Sequence, residues 1–295
     1  MTSPSSAQAC LAEGREALFR FELRDAEALF RRARSLARRD HEGVLEERAF
    51  CLHSGLLIEA GDSDQVASGL RAVLSTSAEL RNRYLAGYNL ARAFELRREI
   101  HKATFYARSA MQWGQLAGVG QELAASYNQL GNLMVARGDL AAAHPEYERA
   151  QAMCPEGRPL WRAMIEENLG YVEAALGHLG AGAAMIERSL ATLETLGTLE
   201  LATTARLSLS FARLQAGRGA DATHLALESL AAADPHGEQA KTALYLLAEA
   251  AKINGHRTEA RIWFERLLRE FYPQQLHLLE LLMILDLRGL VSIKT

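Results

Sequence analysis

A pattern of small residues recurs along this chain with a period near 40, and few folds tolerate such a pattern. The first small site falls at Gly14, Ser54, Ala91, Gly131, Gly170, Ser210 and Ala248, at spacings of 40, 37, 40, 39, 40 and 38 residues. A second site follows in register at Ala26, Val66, Ala103, Ala143, Gly182, Ala222 and Ala260. A third follows at Ala33, Val73, Ala110, Ala150, Ser189, Ser229 and Leu267. Seven copies in register describe one supersecondary unit repeated along the chain, each burying its apolar face against its neighbours.

The stretch from Tyr127 to Pro155 shows what the unit is. Gly138 allows one helix to end in a left-handed turn, and Asp139 can cap the next. Gly131 and Ala143 are small where two helices would cross, Tyr147 fills the space beside the crossing, Ala150 faces the next hairpin, and Pro155 stops the second helix. This helix–turn–helix resembles a tetratricopeptide unit, with its aromatic, its Leu130-Gly131 pair, its mid-repeat Ala, its later aromatic and its terminal Pro. The short form of that repeat has about 34 residues. The longer period here is similar to that of kinesin light chains, Leu-Gly-Asn adaptor proteins and bacterial peptide-sensing or maltose-type regulators. The resemblance runs from about residue 7 to residue 273.

The expected fold is therefore an all-α, right-handed solenoid of about seven helical hairpins with a C-terminal capping helix. Composition agrees: the 295 residues are rich in Ala, Leu, Arg and Glu and contain only 6 Pro. Residues 1–6 are expected to be disordered, residues 7–273 to form the solenoid, and residues 274–295 to form the capping helix and a short tail beginning at Leu290. The run Cys154-Pro155-Glu156-Gly157-Arg158-Pro159 is the clearest break, read as an inter-repeat turn with a hinge as the alternative. Pro145 is expected to bend the second helix of unit four. Turns are expected at Gly61, Arg98, Gly177, Gly217 and Gly255.

The balance of 33 basic and 36 acidic residues gives no pull toward nucleic acid or a membrane surface. No run of 18 apolar residues suggests a membrane span, and Met1–Ala7 lacks the apolar core of a signal peptide. Three scattered cysteines, Cys10, Cys51 and Cys154, suit a reducing cytoplasm.

No phosphate-cradling glycine loop, metal-binding helix, Cys-x-x-Cys pair or nucleophile elbow occurs, so the chain is read as no enzyme, with no cofactor and no metal. Arg31, Arg32, Arg34, Arg38 and Arg39 read as a solvated outer face, with phosphate binding as the alternative. Stacked hairpins leave their first helices on an inner face, and there polar groups converge. Tyr88, Asn89, Arg92, Asn128, Asn132, Asn168 and Tyr171 form the candidate peptide-binding groove. Asn amides both donate and accept, so they can pair with the backbone of an extended peptide, and Arg92 can take a carboxylate bidentately. The alternative is that the Asn side chains bridge neighbouring helices. Related repeat proteins hold peptide backbones with groove Asn residues, which the resemblance carries over to Asn128, Asn132 and Asn168. The Lys of the carboxylate clamp in chaperone-binding relatives is absent.

The expected function is a protein- or peptide-binding scaffold or regulatory adaptor. A stand-alone peptide- or metabolite-sensing lobe of a bacterial regulator is the alternative, although no room is seen before residue 7 for the DNA-binding helix–turn–helix such regulators usually add. The expected partner is a protein or peptide, with no nucleic acid and no membrane. A homodimer through the last helix is one expectation, with Leu278, Leu281, Leu282 and Leu285 packed inward and Leu276, Leu279, Met283 and Leu287 left on another face; the alternative is that the Leu290–Thr295 tail or a tilt of the helix covers those residues.

Overall fold

The structure is a computed structural model that describes residues 6–288 and 292–294. Among the described residues it is all-helical, with fifteen α-helices in chain order. They are α1 (Ala7–Phe19), α2 (Leu23–Arg39), α3 (Gly43–Glu59), α4 (Ser63–Thr76), α5 (Leu80–Leu96), α6 (Ile100–Leu116), α7 (Leu123–Ala136) and α8 (Leu140–Met153). Then follow α9 (Pro159–Ala175), α10 (Leu179–Thr195), α11 (Leu199–Gln215), α12 (Gly219–Ala232), α13 (Glu238–Ile253), α14 (Arg257–Phe271) and α15 (Leu279–Ile284). The first fourteen are the odd and even members of tetratricopeptide-like pairs. All three sets of aligned small positions are buried, from Gly14, Ala26 and Ala33 through to Ala248, Ala260 and Leu267.

Each pair turns in the same way. Phe21, Gly61, Arg98, Gly138, Gly177, Gly217 and Gly255 all have positive φ, between 61° and 98°. Each stands seven positions beyond the first small site of its repeat. The residue after it donates back across a whole turn, as in Asp62 N–H to the Leu57 carbonyl at 2.8 Å and Glu99 N–H to that of Phe94 at 2.9 Å. This is the left-handed helix stop that satisfies the last carbonyls. Pro159 opens α9 at its first position, and Pro145 lies inside α8 as expected.

The chain divides into two compact units, Met1–Leu133 and Met134–Thr295, with the division inside α7. In the first unit α1 packs on α2 and α5 on α6, and the odd helices α1, α3 and α5 lie side by side. Cys10, Leu11, Phe30 and Ala33 anchor a core at its start, where the Gly14 backbone touches the Phe30 ring. In the second unit α9 packs on α10, α11 on α12 and α13 on α14, and α9, α11 and α13 form a continuous row. Its main core joins Tyr147, Tyr171, Phe211, Leu214, Tyr245 and Phe264.

The segment after α14 differs from the single helix expected over 274–287. Pro273–Leu278 is a 3-10 stretch broken at Gln275, and α15 has only six residues. Leu285 is already extended, with ψ 142°. A sequence that is apolar on all sides gives no single face to bury, so a straight helix would leave half of it in water. The break lets Leu279, Leu282, Met283, Leu287 and Ile293 all reach the second unit's core. The expected inward and outward faces are thereby partly exchanged: Leu281 and Leu285, expected inward, are 48% and 41% exposed, while Leu279, Met283 and Leu287, expected outward, pack inward beside Leu282. Of the residues assigned to a free dimer face, only Leu276 is exposed. Residues 1–5 of the N-terminus expected to be disordered, and Gly289, Leu290, Val291 and Thr295 of the tail, lie outside the described residues.

Candidate functional site

In the first unit the candidate residues come from α5 and α7. Tyr88 and Arg92 are one turn apart on α5, and both are half-buried. Desolvation pushes the Tyr88 phenol up to about 12. Arg92 makes the bidentate contact foreseen for a ligand carboxylate, but with Glu59 of α3, at 2.7 and 3.0 Å. Its third nitrogen lies 3.2 Å from Glu95. Burial raises the Glu95 carboxyl pKa, and Arg92 works against that rise. Asn89 is buried, and its amide donates to the Cys51 carbonyl at 2.6 Å, so it bridges α5 to α3. Asn128 and Asn132 on α7 are half-buried. Between them Gln129 donates to Glu95 at 3.4 Å and leaves its own carbonyl oxygen without a hydrogen-bond partner.

Two parts of this unit's polar framework escaped the sequence reading. Glu122, just before α7, pairs with both Arg15 of α1 and Arg81 of α5. Its backbone carbonyl also accepts from the Tyr84 hydroxyl at 2.9 Å. Asn82 is fully buried and donates to the Val44 carbonyl at 2.9 Å while accepting from Arg48 at 3.1 Å. No local spacing signals contacts across 107 residues, which is the separation of Arg15 and Glu122. The outer arginines behave as a solvated face: Arg31, Arg38 and Arg39 pair with Glu27, Glu46 and Asp40.

In the second unit Asn168 and Tyr171 stand on α9, and the chain's own closing segment lies against them. Tyr171 is 2% exposed, its ring 5.2 Å from that of Phe211, and its hydroxyl is 3.1 Å from the Ser292 hydroxyl. Burial raises the phenol pKa. The Lys294 ammonium donates to Asn168 Oδ1 at 3.0 Å, pairs with Glu167, and sits 5.6 Å from the Tyr171 ring centre. On α11, Gln215 donates to the Arg288 carbonyl at 2.6 Å. On α13, Lys252 donates to the Leu282 and Leu285 carbonyls at 2.9 and 2.5 Å and to Glu249 at 3.0 Å. Burial raises the Glu249 carboxyl pKa, and Lys252 partly offsets this. Glu167, Asn168, Tyr171, Glu249 and Lys252 lie three before, two before, one after or four after the small site of their repeat, as do Tyr88, Asn89, Arg92, Asn128 and Asn132, whereas Gln215 stands five after it. What sequence reasoning missed is that the closing segment covers them.

No family model and no curated protein sequence matches the chain. Solved structures do. A Rap protein complexed with competence and sporulation factor superposes with a TM-score of 0.70 at 14% identity, over 92% of this chain and 78% of that one. The Rap conjugation gene regulator of a plasmid, in complex with a Phr peptide, gives 0.56 at 14% identity, over 94% and 78%. Nearly identical tetratricopeptide-like repeats of a kinesin light chain from Podosopora anserina give 0.52 at 18% identity, over 68% and 99%. These similarities bear on the fold, which is that of a tetratricopeptide-like helical repeat protein.

Proposed function

We propose that this chain is a peptide- or protein-binding repeat protein whose ligands engage the side chains of its first helices. One observation carries the reading: a non-helical stretch of polypeptide, from Leu285 on, already lies against side chains of α9, α11 and α13. Side chains of the row hold that stretch by its carbonyls, its hydroxyl and its ammonium. A surface that holds one such segment has the donors and apolar contacts that hold another. In the first unit, Tyr88, Arg92, Asn128 and Asn132 offer a second patch of half-buried polar and aromatic groups. There an incoming carboxylate has to compete with Glu59 for Arg92.

A regulatory role as a peptide-sensing lobe is the more specific reading. It is favoured by the likeness to a Rap conjugation gene regulator that holds a peptide. The three thiols are free and no described helix is long and apolar enough to cross a membrane. Free thiols fit a reducing cytoplasm.

The test is capture from native lysate followed by titration of the identified partner. Asn128→Ala with Asn132→Ala should weaken binding at least about tenfold with helicity unchanged, as expected for loss of two hydrogen bonds. Undiminished affinity in that variant removes the first-unit patch from the ligand site.

A further inference from the structure

The second unit's row of first helices is occupied, and the manner of its occupation is informative. Three helices each contribute a polar anchor to one segment: Asn168 from α9, Gln215 from α11 and Lys252 from α13. Two of these anchors grip main-chain carbonyls, as side chains do when they hold a peptide whatever its sequence. Leu287 and Ile293 meanwhile pack against the second unit's core, which includes Tyr171, Phe211 and Tyr245. From Leu285 onward the segment is not helical, so its carbonyls need partners from outside.

Such a segment differs from a simple cap. A cap shaped only for stability would satisfy the polar groups it covers. Here Glu167 Oε1 and the Tyr245 hydroxyl are buried without a hydrogen-bond partner, although Glu167 also pairs with Lys294. The face therefore offers more polar capacity than its occupant uses. Two charges of the segment, Asp286 and Arg288, pair with one another at 2.5 Å. Among the described residues of the segment, Lys294 forms an ion pair with the row, through Glu167.

We infer that the row of α9, α11 and α13 is a receptor site for a non-helical chain segment, filled in cis by Leu285–Arg288 and Ser292–Lys294, which an incoming segment must displace. The inference rests on the peptide-binding reading above and adds a regulation to it. A tethered segment faces its site at an effective concentration of roughly millimolar. It therefore fills the site with modest intrinsic affinity, and only a better-fitting ligand opens it.

The chain supplies its own probe. A fluorescent peptide of sequence Ile-Leu-Asp-Leu-Arg-Gly-Leu-Val-Ser-Ile-Lys-Thr, corresponding to positions 284–295, is titrated by anisotropy into the full chain and into its Lys294→Glu variant. The substitution sets a carboxylate against Glu167 and loosens the cis segment at its far end, away from the core helices. The variant should bind the peptide at least about tenfold more tightly than the unaltered chain, since the site is then less often filled in cis. Adding Glu167→Gln to the variant should abolish most of that gain, while circular dichroism stays the same. Equal affinity in the unaltered chain and the variant, or no binding to either up to about 1 mM, overturns the inference. Neither result touches the broader reading, which stands or falls on the captured partner.

Discussion

Glu249 is 1% exposed and relies on Lys252, which also holds the carbonyls at the end of α15. A cation there suits the helix terminus as well as the carboxylate. Lys252→Met should cost on the order of 3 kcal/mol, because it strands a buried charge. The loss should depend on pH. Burial raises the folded-state pKa of Glu249, so the folded chain holds this proton more tightly than the unfolded chain. Stability tied to this group is present below the unfolded carboxylate pKa of about 4.3 and falls as pH climbs toward the folded value. Without Lys252 that decline should steepen, so urea midpoints of the variant should drop further at pH 8 than at pH 5. Adding Glu249→Gln should flatten the profile. Cys51 gives a second prediction at this scale. Burial, aided by Glu47, pushes its thiol up to about 12, so at pH 8 about one molecule in ten thousand is thiolate. Iodoacetamide pulses read by mass spectrometry should modify Cys51 only after urea opens the first unit. The type and helix of Asn168 and Tyr171 were legible from repeat spacing. Their partners Ser292 and Lys294 were not, because 121 to 126 intervening residues leave no periodic trace.

The helical hairpin is where the sequence speaks most plainly. Each small site meets the partner helix or its neighbour, so its size follows from how closely the two axes approach. The crossing of α9 and α10 is close enough to exclude a methyl group. A Cβ on Gly182 would stand 2.5 Å from the Gly170 carbonyl oxygen and 2.6 Å from the Ala174 nitrogen, both backbone atoms. Gly182→Ala should therefore destabilise by about 1–3 kcal/mol, despite the better helix propensity of Ala. Gly180→Ala, two residues earlier in open space, should instead gain a few tenths of a kcal/mol. Denaturant midpoints of the pair separate crossing geometry from propensity. The turn after each first helix carries a further expectation. Five repeats place Gly at the left-handed position, but Phe21 and Arg98 hold φ of 65° and 61°. A non-glycine residue there costs about 1 kcal/mol. Arg98→Gly should thus raise stability by about 0.5–1 kcal/mol after the entropy of the freer unfolded chain is deducted. The turns were readable because Gly marks most of them. The equivalence of Phe21 became visible only through the backbone angles.

For the molecule as a whole, the repeat register carried the fold from α1 to α14, and the limit of legibility falls where the repeat ends. Beyond Phe271 no periodicity constrains the chain, and an apolar run such as Leu278–Leu287 is compatible with several burial schemes. The scheme adopted brings Leu279, Leu282, Met283, Leu287 and Ile293 onto the second unit's core. A six-residue helix is too short to persist in water by itself, so α15 exists because Leu279, Leu282 and Met283 are seated. This fixes what a pair of charges would do. Leu279→Glu together with Met283→Glu places carboxylates against a core of Tyr245, Leu247 and Phe264. The expected loss is about 2–5 kcal/mol, the range for emptying or spoiling seated aliphatic sites. Because the segment is unseated by this change, hydrogen exchange should accelerate across α15 and along the facing edge of α13, while α1 to α6 keep their protection. Exposure of the vacated face should also increase binding of a hydrophobic dye. Were these two residues instead a dimer surface, the same variant would lower the mass measured by light scattering and leave the exchange pattern of α13 as it was. Stability and exchange, read beside mass, therefore separate a seated segment from an interface.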